Sequence, residues 1–165
     1  MVLIAATSKL LRARRWRSDA RPEPDLMAMI DLVALGTVCD VVPLVGLNRA
    51  YERQGLKIKA RRDRPGIAAL ADVARLSRRP DAQSLGFVLG PRLNAAGRIG
   101  SAMDGLALLT SHDRGHAMQL AQSLEEMNKQ RQAIELATVD RAVEQAEAML
   151  GLSLIHISEP TRPKR

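Results

Sequence analysis

The chain has 165 residues, 46% of them hydrophobic and only 2% aromatic (Trp16, Tyr51 and Phe87), with a formal net charge of +7. That length suits one modest domain and excludes two well-cored ones, and the single cysteine, Cys39, excludes an internal disulfide or a cysteine metal cluster and fits a reducing cytoplasm. No run of about 18 apolar residues exists to span a bilayer and MVLIAA is too short for a signal-peptide core, so the chain reads as soluble and cytoplasmic, with no membrane partner and a basic balance suited to a polyanion such as nucleic acid.

With so few aromatics, Leu, Ile, Val, Met and Ala must build the core, which favours packed helices over a β-sandwich. Residues 2–17 carry Leu3, Ala6, Leu10 and Leu11 on one face and end in LRARRWR, a helix whose basic end complements the macrodipole. SDARPEPD at 18–25 is a loop, because Pro22 and Pro24 cannot sit inside a helix, and Asp25 can cap the next helix. Leu26, Met29, Ile30, Val33 and Ala34 recur at helical spacing, so 26–36 is helical until Pro43 stops regular structure. A further helix runs from Asn48 to about Ala60, where RRDRPG at 61–66 breaks it. Short helices are expected at 67–76 and 81–90, the second with Asp81 as N-cap. PRLNAAGRIGSA at 91–102 holds two glycines, a proline and no steady period, which predicts a loop.

A short helix at 103–110 leads to Ser111, the expected N-cap of a long final helix. That helix, with Leu120, Leu124, Met127 and Ile134 at three-to-four spacing, would be ~55 Å long at 1.5 Å per residue. Glu125 with Lys129 and Arg131 with Glu135 are four apart and suit ion pairs on its wet face. So long a helix reads as a spacer between two bodies. No internal repeat or low-complexity tract is evident. LSLIHISEPTR at 152–162 resembles the translation of a transposon-end adapter used in sequencing libraries, so 151–165 is expected to be adapter-derived and disordered and is set aside. That tail carries a net +2, which leaves +5 for the remainder.

Two places could carry chemistry. Asp40 lies beyond a helix expected to end at Gly36–Thr37 and before an apolar Val41–Val42–Pro43 stop; a carboxylate there is costly to desolvate unless a cation meets it, and a divalent metal would do so. Taken alone, an aspartate in such a spot more often caps a turn. Arg92, Asn94 and Arg98 share one Gly-containing segment, and two guanidiniums with an amide can clamp a phosphate. Taken alone, arginines on loops are more often simply solvated. His112 and His116 are four apart, but no third ligand accompanies them and a solvated face explains them better.

In order and about fifty residues apart, DLVALGTVCDVVPL at 31–44 and LGPRLNAAGRIG at 89–100 resemble the DHH phosphoesterase family, and within it the RecJ exonucleases. LNRAYERQGL at 47–56 and MNKQRQAIE at 127–135 agree with the same family, so the resemblance covers residues 1–150. It implies a two-metal site, Mn²⁺ or Mg²⁺, that hydrolyses phosphodiesters, with Asp40 as the metal ligand present here and Arg92, Asn94 and Arg98 as substrate-phosphate contacts. No residue of this chain is assigned as catalytic. The implied fold is mainly α: the helical C-terminal part of an α/β DHH domain at 1–110, then a connecting helix at 111–150 toward a DHHA1 domain beyond it. The family's earlier Asp motifs and its Asp-His-His signature do not occur, and Cys39 stands where RecJ sequences usually have Ala.

The implied activity is 5′→3′ degradation of single-stranded DNA in repair and recombination, with the fragment itself inactive because one carboxylate cannot hold two metals. One alternative is a DHH phosphoesterase acting on short oligonucleotides or cyclic dinucleotides; the PRLNAAGR run and the long helix argue for RecJ instead. Another is a non-enzymatic basic helical DNA-binding module, against which three scattered aromatics offer no stacking platform and no helix-turn-helix pattern is visible. Oligomeric state is left open, and apolar helix faces without their sheet predict aggregation of the isolated chain.

Overall fold

The computed structural model describes residues 1–59, 62–76 and 80–150; the adapter-like tail lies outside the described residues. Among the described residues seven α-helices occur in order: α1 Val2–Ala13, α2 Ile30–Cys39, α3 Gly46–Lys59, α4 Pro65–Val73, α5 Gly90–Ile99, α6 Ala102–Thr110 and α7 Arg114–Leu150. A 3₁₀ turn at Met27–Met29 precedes α2, and a π-helical turn at Ser84–Leu89 runs directly into α5. Among the described residues no strand occurs beyond a single bridge between Ser18 and Arg21. No described helix is long and apolar enough to cross a membrane.

Local signals explain most boundaries. Asp25 Oδ1 accepts from the N–H groups of Met27 and Ala28 at 2.9 and 3.3 Å, so it does cap the turn after it. Asp81 accepts from the Ser84 N–H at 2.7 Å while Ser84 Oγ accepts from the Asp81 N–H at 3.1 Å, a reciprocal capping box that starts the helix expected there. Ser101, which no spacing in the sequence marks, caps α6 with its hydroxyl by accepting from Met103 N–H at 3.2 Å.

Three expectations are corrected. Residues 91–102 are not a loop: 90–99 form α5. Pro91 lacks an N–H and would crowd the carbonyl four residues back, but the wide π turn ahead of it, in which the Gly90 N–H reaches Leu85 O, absorbs that misfit. Ser111 is the C-cap of α6, and Asp113 caps α7 by accepting from the His116 N–H. His112 therefore precedes the helix and shares no face with His116. The helix expected to end at Gly36–Thr37 continues to Cys39, so Thr37 Oγ1 bonds back to Val33 O at 2.7 Å inside it.

The core is aliphatic, as the scarcity of aromatics requires. Ala117, Ala121 and Leu124 of α7 form a spine against Ala69 and Leu70 of α4, Ala96 of α5, Leu108 of α6 and Leu85 and Leu89 of the π turn. Small residues let backbones meet: a Cβ on Gly66 would lie 1.9 Å from Leu108 O, and one on Gly55 would lie 2.4 Å from the Ala34 Cβ. The distal half of α7 is exposed, including Ile134, Leu136 and Val139, and so are Val2, Leu3 and Leu10 of α1, whose expected apolar face finds no cover.

Asp31, only 3% exposed, is held by Arg64, which donates Nε to Oδ2 at 2.9 Å and Nη2 to Oδ1 at 3.2 Å. This pair fastens the start of α2 to the start of α4. A cavity of about 400 Å³ beside it, lined by Asp25, Ile58, Arg62 and His112 among others, sits at the opposite end of α2 from Asp40. Two of its carboxylates are already used, Asp25 as a cap and Asp31 by Arg64.

Candidate functional site

Asp40 is the residue on which α2 ends. The Val42 N–H bonds to Thr37 O at 3.0 Å and the Val41 N–H to Val38 O at 3.1 Å, a Schellman closure with Asp40 as C-cap. The left-handed position of that closure, normally glycine, is Val41, with φ +55°. A β-branched side chain there is strained. Asp40 itself is exposed and not desolvated as the sequence suggested. Its carboxylate stands at the carbonyl-rich, negative end of a helix, an arrangement that favours an incoming cation.

The end of α2 abuts the start of α5. Cys39 Sγ approaches Leu85 O at 3.7 Å, and a Cβ built on Gly90 would come within 2.8 Å of that sulfur. A Cβ on Gly86, four residues earlier, would meet Val38 at 3.4 Å, an ordinary contact. Gly90 thus brings the two sequence motifs together, since Asp40 is next to Cys39 and α5 carries Arg92, Asn94 and Arg98. At 1.5 Å per residue, Asn94 and Arg98 lie ~6 and ~12 Å along the helix from Gly90.

The three α5 residues do not share a role in the structure. Arg92 turns toward α7, where Glu125 Oε2 accepts from its Nε and Val88 O accepts from its Nη1 at 2.6 Å. The pair is mostly shielded, with side chains 15% and 20% exposed. Glu125 is thus taken by Arg92 rather than Lys129, and Lys129 meets Glu126 instead, at 4.0 Å; the expected Arg131–Glu135 pair does form. Asn94 and Arg98 are four apart on the exposed face of α5, and their side chains have no hydrogen-bond partner among the described residues. Phe87, which no sequence motif marks, is 80% exposed on the adjoining π turn.

Among the described residues no group of three or more His, Cys, Asp or Glu could hold a metal ion. Asp40 accordingly belongs to no such group among the described residues.

No family model matches the chain. It is 42% identical over 166 residues to the single-stranded-DNA-specific exonuclease RecJ of Salmonella typhimurium, covering 98% of this chain and 27% of that protein. It is 46% identical over 136 residues to RecJ of Escherichia coli, covering 81% and 24%. The crystal structure of Thermus thermophilus RecJ in complex with Mn²⁺ superposes on 75% of this chain and 19% of its own, with TM-score 0.69 and 35% identity. The fold thus defines the class, a helical segment similar to part of the DNA exonucleases. More particularly, the chain is homologous to a segment of RecJ, and it spans about a quarter of the length of these curated relatives.

Proposed function

We propose that this chain is the helical segment of a metal-dependent 5′→3′ exonuclease of the DHH phosphoesterase type, acting on single-stranded DNA in cytoplasmic repair and recombination. Residues 1–110 are then the C-terminal part of the DHH domain and 111–150 the connecting helix. The observation that carries the reading is the junction of α2 with α5, which sets an exposed carboxylate at a helix end beside a helix bearing unpaired Asn94 and Arg98, in a chain homologous to RecJ. In this reading Asp40 is one oxygen ligand of a Mn²⁺ or Mg²⁺ pair, Asn94 and Arg98 contact substrate phosphate, and Arg92 positions α5 on α7. The metals, when bound, supply a hydroxide nucleophile and neutralise charge developing on phosphate.

The test uses the longer reading frame recovered from the genomic locus. Asp40→Asn in that protein should lower Mn²⁺-dependent release of mononucleotides from a single-stranded oligonucleotide by at least 100-fold while leaving its circular dichroism unchanged. Retained activity would remove Asp40 from the metal site. The 165-residue chain with the same metal and oligonucleotide should release nothing, and measurable release would show that one carboxylate suffices.

A further inference from the structure

Residues 9–21 hold six basic side chains, Lys9, Arg12, Arg14, Arg15, Arg17 and Arg21, against one carboxylate, Asp19. That local excess equals the whole net charge ahead of the tail, so the rest of the chain is balanced. Two of the six are committed. Arg12 forks onto Glu23 at 3.1 and 2.6 Å, and Arg17 donates to Pro22 O at 3.2 Å and Ser8 Oγ at 3.3 Å. The side chains of Arg14, Arg15 and Arg21 meet no carboxylate among the described residues.

Clustered charge is usually just solvated, but here the turn that carries it is built. Arg15 takes the left-handed conformation (φ +49°), its N–H bonds to Arg12 O and the Trp16 N–H to Leu11 O, each at 3.0 Å. Ser18 and Arg21 then exchange backbone hydrogen bonds at 3.3 and 2.9 Å. The loop so closed lays the Arg21 guanidinium 4.6 Å from the Trp16 ring centroid and that of Arg17 at 5.5 Å, while Trp16 remains 44% exposed. A guanidinium stacked on a ring keeps its in-plane N–H donors free for phosphate oxygens.

We propose that this turn is an accessory contact site for a single-stranded polynucleotide, with Arg14, Arg15 and Arg21 holding phosphates and the exposed part of the Trp16 ring meeting one base. Only an unstacked base can reach such a ring, which favours a single strand over a duplex. A membrane surface fits less well. Of the exposed apolar residues of α1, Val2, Leu3 and Ile4 lie at the far end from the arginines and Leu10 alone lies beside them, whereas an interfacial helix sets apolar and basic residues on opposite faces along its whole length. The site lies off α5 and stands on its own geometry, whatever the role of Asp40. One ring and three cations make a weak, salt-sensitive contact.

Trp16 is the only tryptophan of the chain, so its emission reads the site directly. The purified chain, with chelator present to exclude metal, is titrated with a 12-nucleotide thymidine oligomer. The expected result is saturable quenching whose affinity falls ~20-fold between 50 and 200 mM salt, the slope of about −2 that three single-strand phosphates give. Arg14→Gln with Arg15→Asn, the asparagine chosen because it tolerates the left-handed backbone, should reduce the slope to about −0.7 without altering circular dichroism. Asn94→Ala with Arg98→Ala should leave the quenching in place, which separates this site from the one on α5. The proposal is overturned by absence of quenching, by an unchanged slope in the Arg14/Arg15 variant, by equal quenching with base-free polyphosphate, or by a blue shift on anionic phosphatidylserine vesicles with no response to the oligomer.

Discussion

Replacing Arg92 by Ala separates the two roles open to that residue. Its side chain and that of Glu125 are 15% and 20% exposed, and the guanidinium also donates to Val88 O at 2.6 Å. Removing one member of a fully buried pair costs roughly 3–5 kcal/mol, because the other charge is left without compensation. Water reaches about a fifth of the Glu125 side chain, so that figure is discounted for screening to about 2 kcal/mol. Glu125→Gln keeps an acceptor for the guanidinium and should cost only about 1 kcal/mol. A double-mutant cycle of Arg92→Ala with Glu125→Ala should then show coupling of about 1–2 kcal/mol, read by urea denaturation through helical circular dichroism. At a typical 2–4 °C per kcal/mol for a chain of this size, Arg92→Ala should melt ~4–8 °C lower. If the variant keeps its urea midpoint yet binds single-stranded oligonucleotide less well, Arg92 is a phosphate contact and the positioning role fails.

Three further outcomes rest on particular contacts. Val41→Gly relieves a β-branched residue at φ +55° and should raise stability by about 0.5–1 kcal/mol in thermal melts; a drop in melting temperature would show that no strain is held beside Asp40. Gly90→Ala drives a methyl within 2.8 Å of Cys39 Sγ and should cost about 1–3 kcal/mol, part of it restored by adding Cys39→Ala; no restoration would mean that the nearby Leu85 carbonyl, not the sulfur, is the obstacle. The hydrogen bond from Arg12, with a smaller contribution from its charge, holds the Glu23 carboxyl below the ordinary glutamate value. A carboxylate lowered on folding contributes in full above its unfolded pKa of about 4.3 and loses that contribution as pH falls through the folded value. Trp16 emission should therefore hold steady at neutral pH and change only as pH falls below the ordinary glutamate range, and the change should vanish in Glu23→Gln.

Much of the helical order was legible in the sequence because it is local. Apolar residues three and four apart, proline breaks and the caps Asp25 and Asp81 act within one turn of the chain, and the near absence of aromatics forced an aliphatic helical core. The motif around Asp40 and the PRLNAAGR run were equally visible, as was their likeness to RecJ. What only the tertiary structure decided depended on partners distant in sequence. Residues 91–99 looked like a loop, yet burial of Ala95 and Ala96 and a π turn that accommodates Pro91 make them a helix. That helix turns Arg92 inward to Glu125 and leaves Asn94 and Arg98 outside, a division no local spacing could express. Cys39 against Gly90 brings residues about fifty positions apart to one place, because only a residue without a side chain admits the sulfur there. Sequence supplied the chemical groups; packing decided which of them are enclosed and which stay exposed.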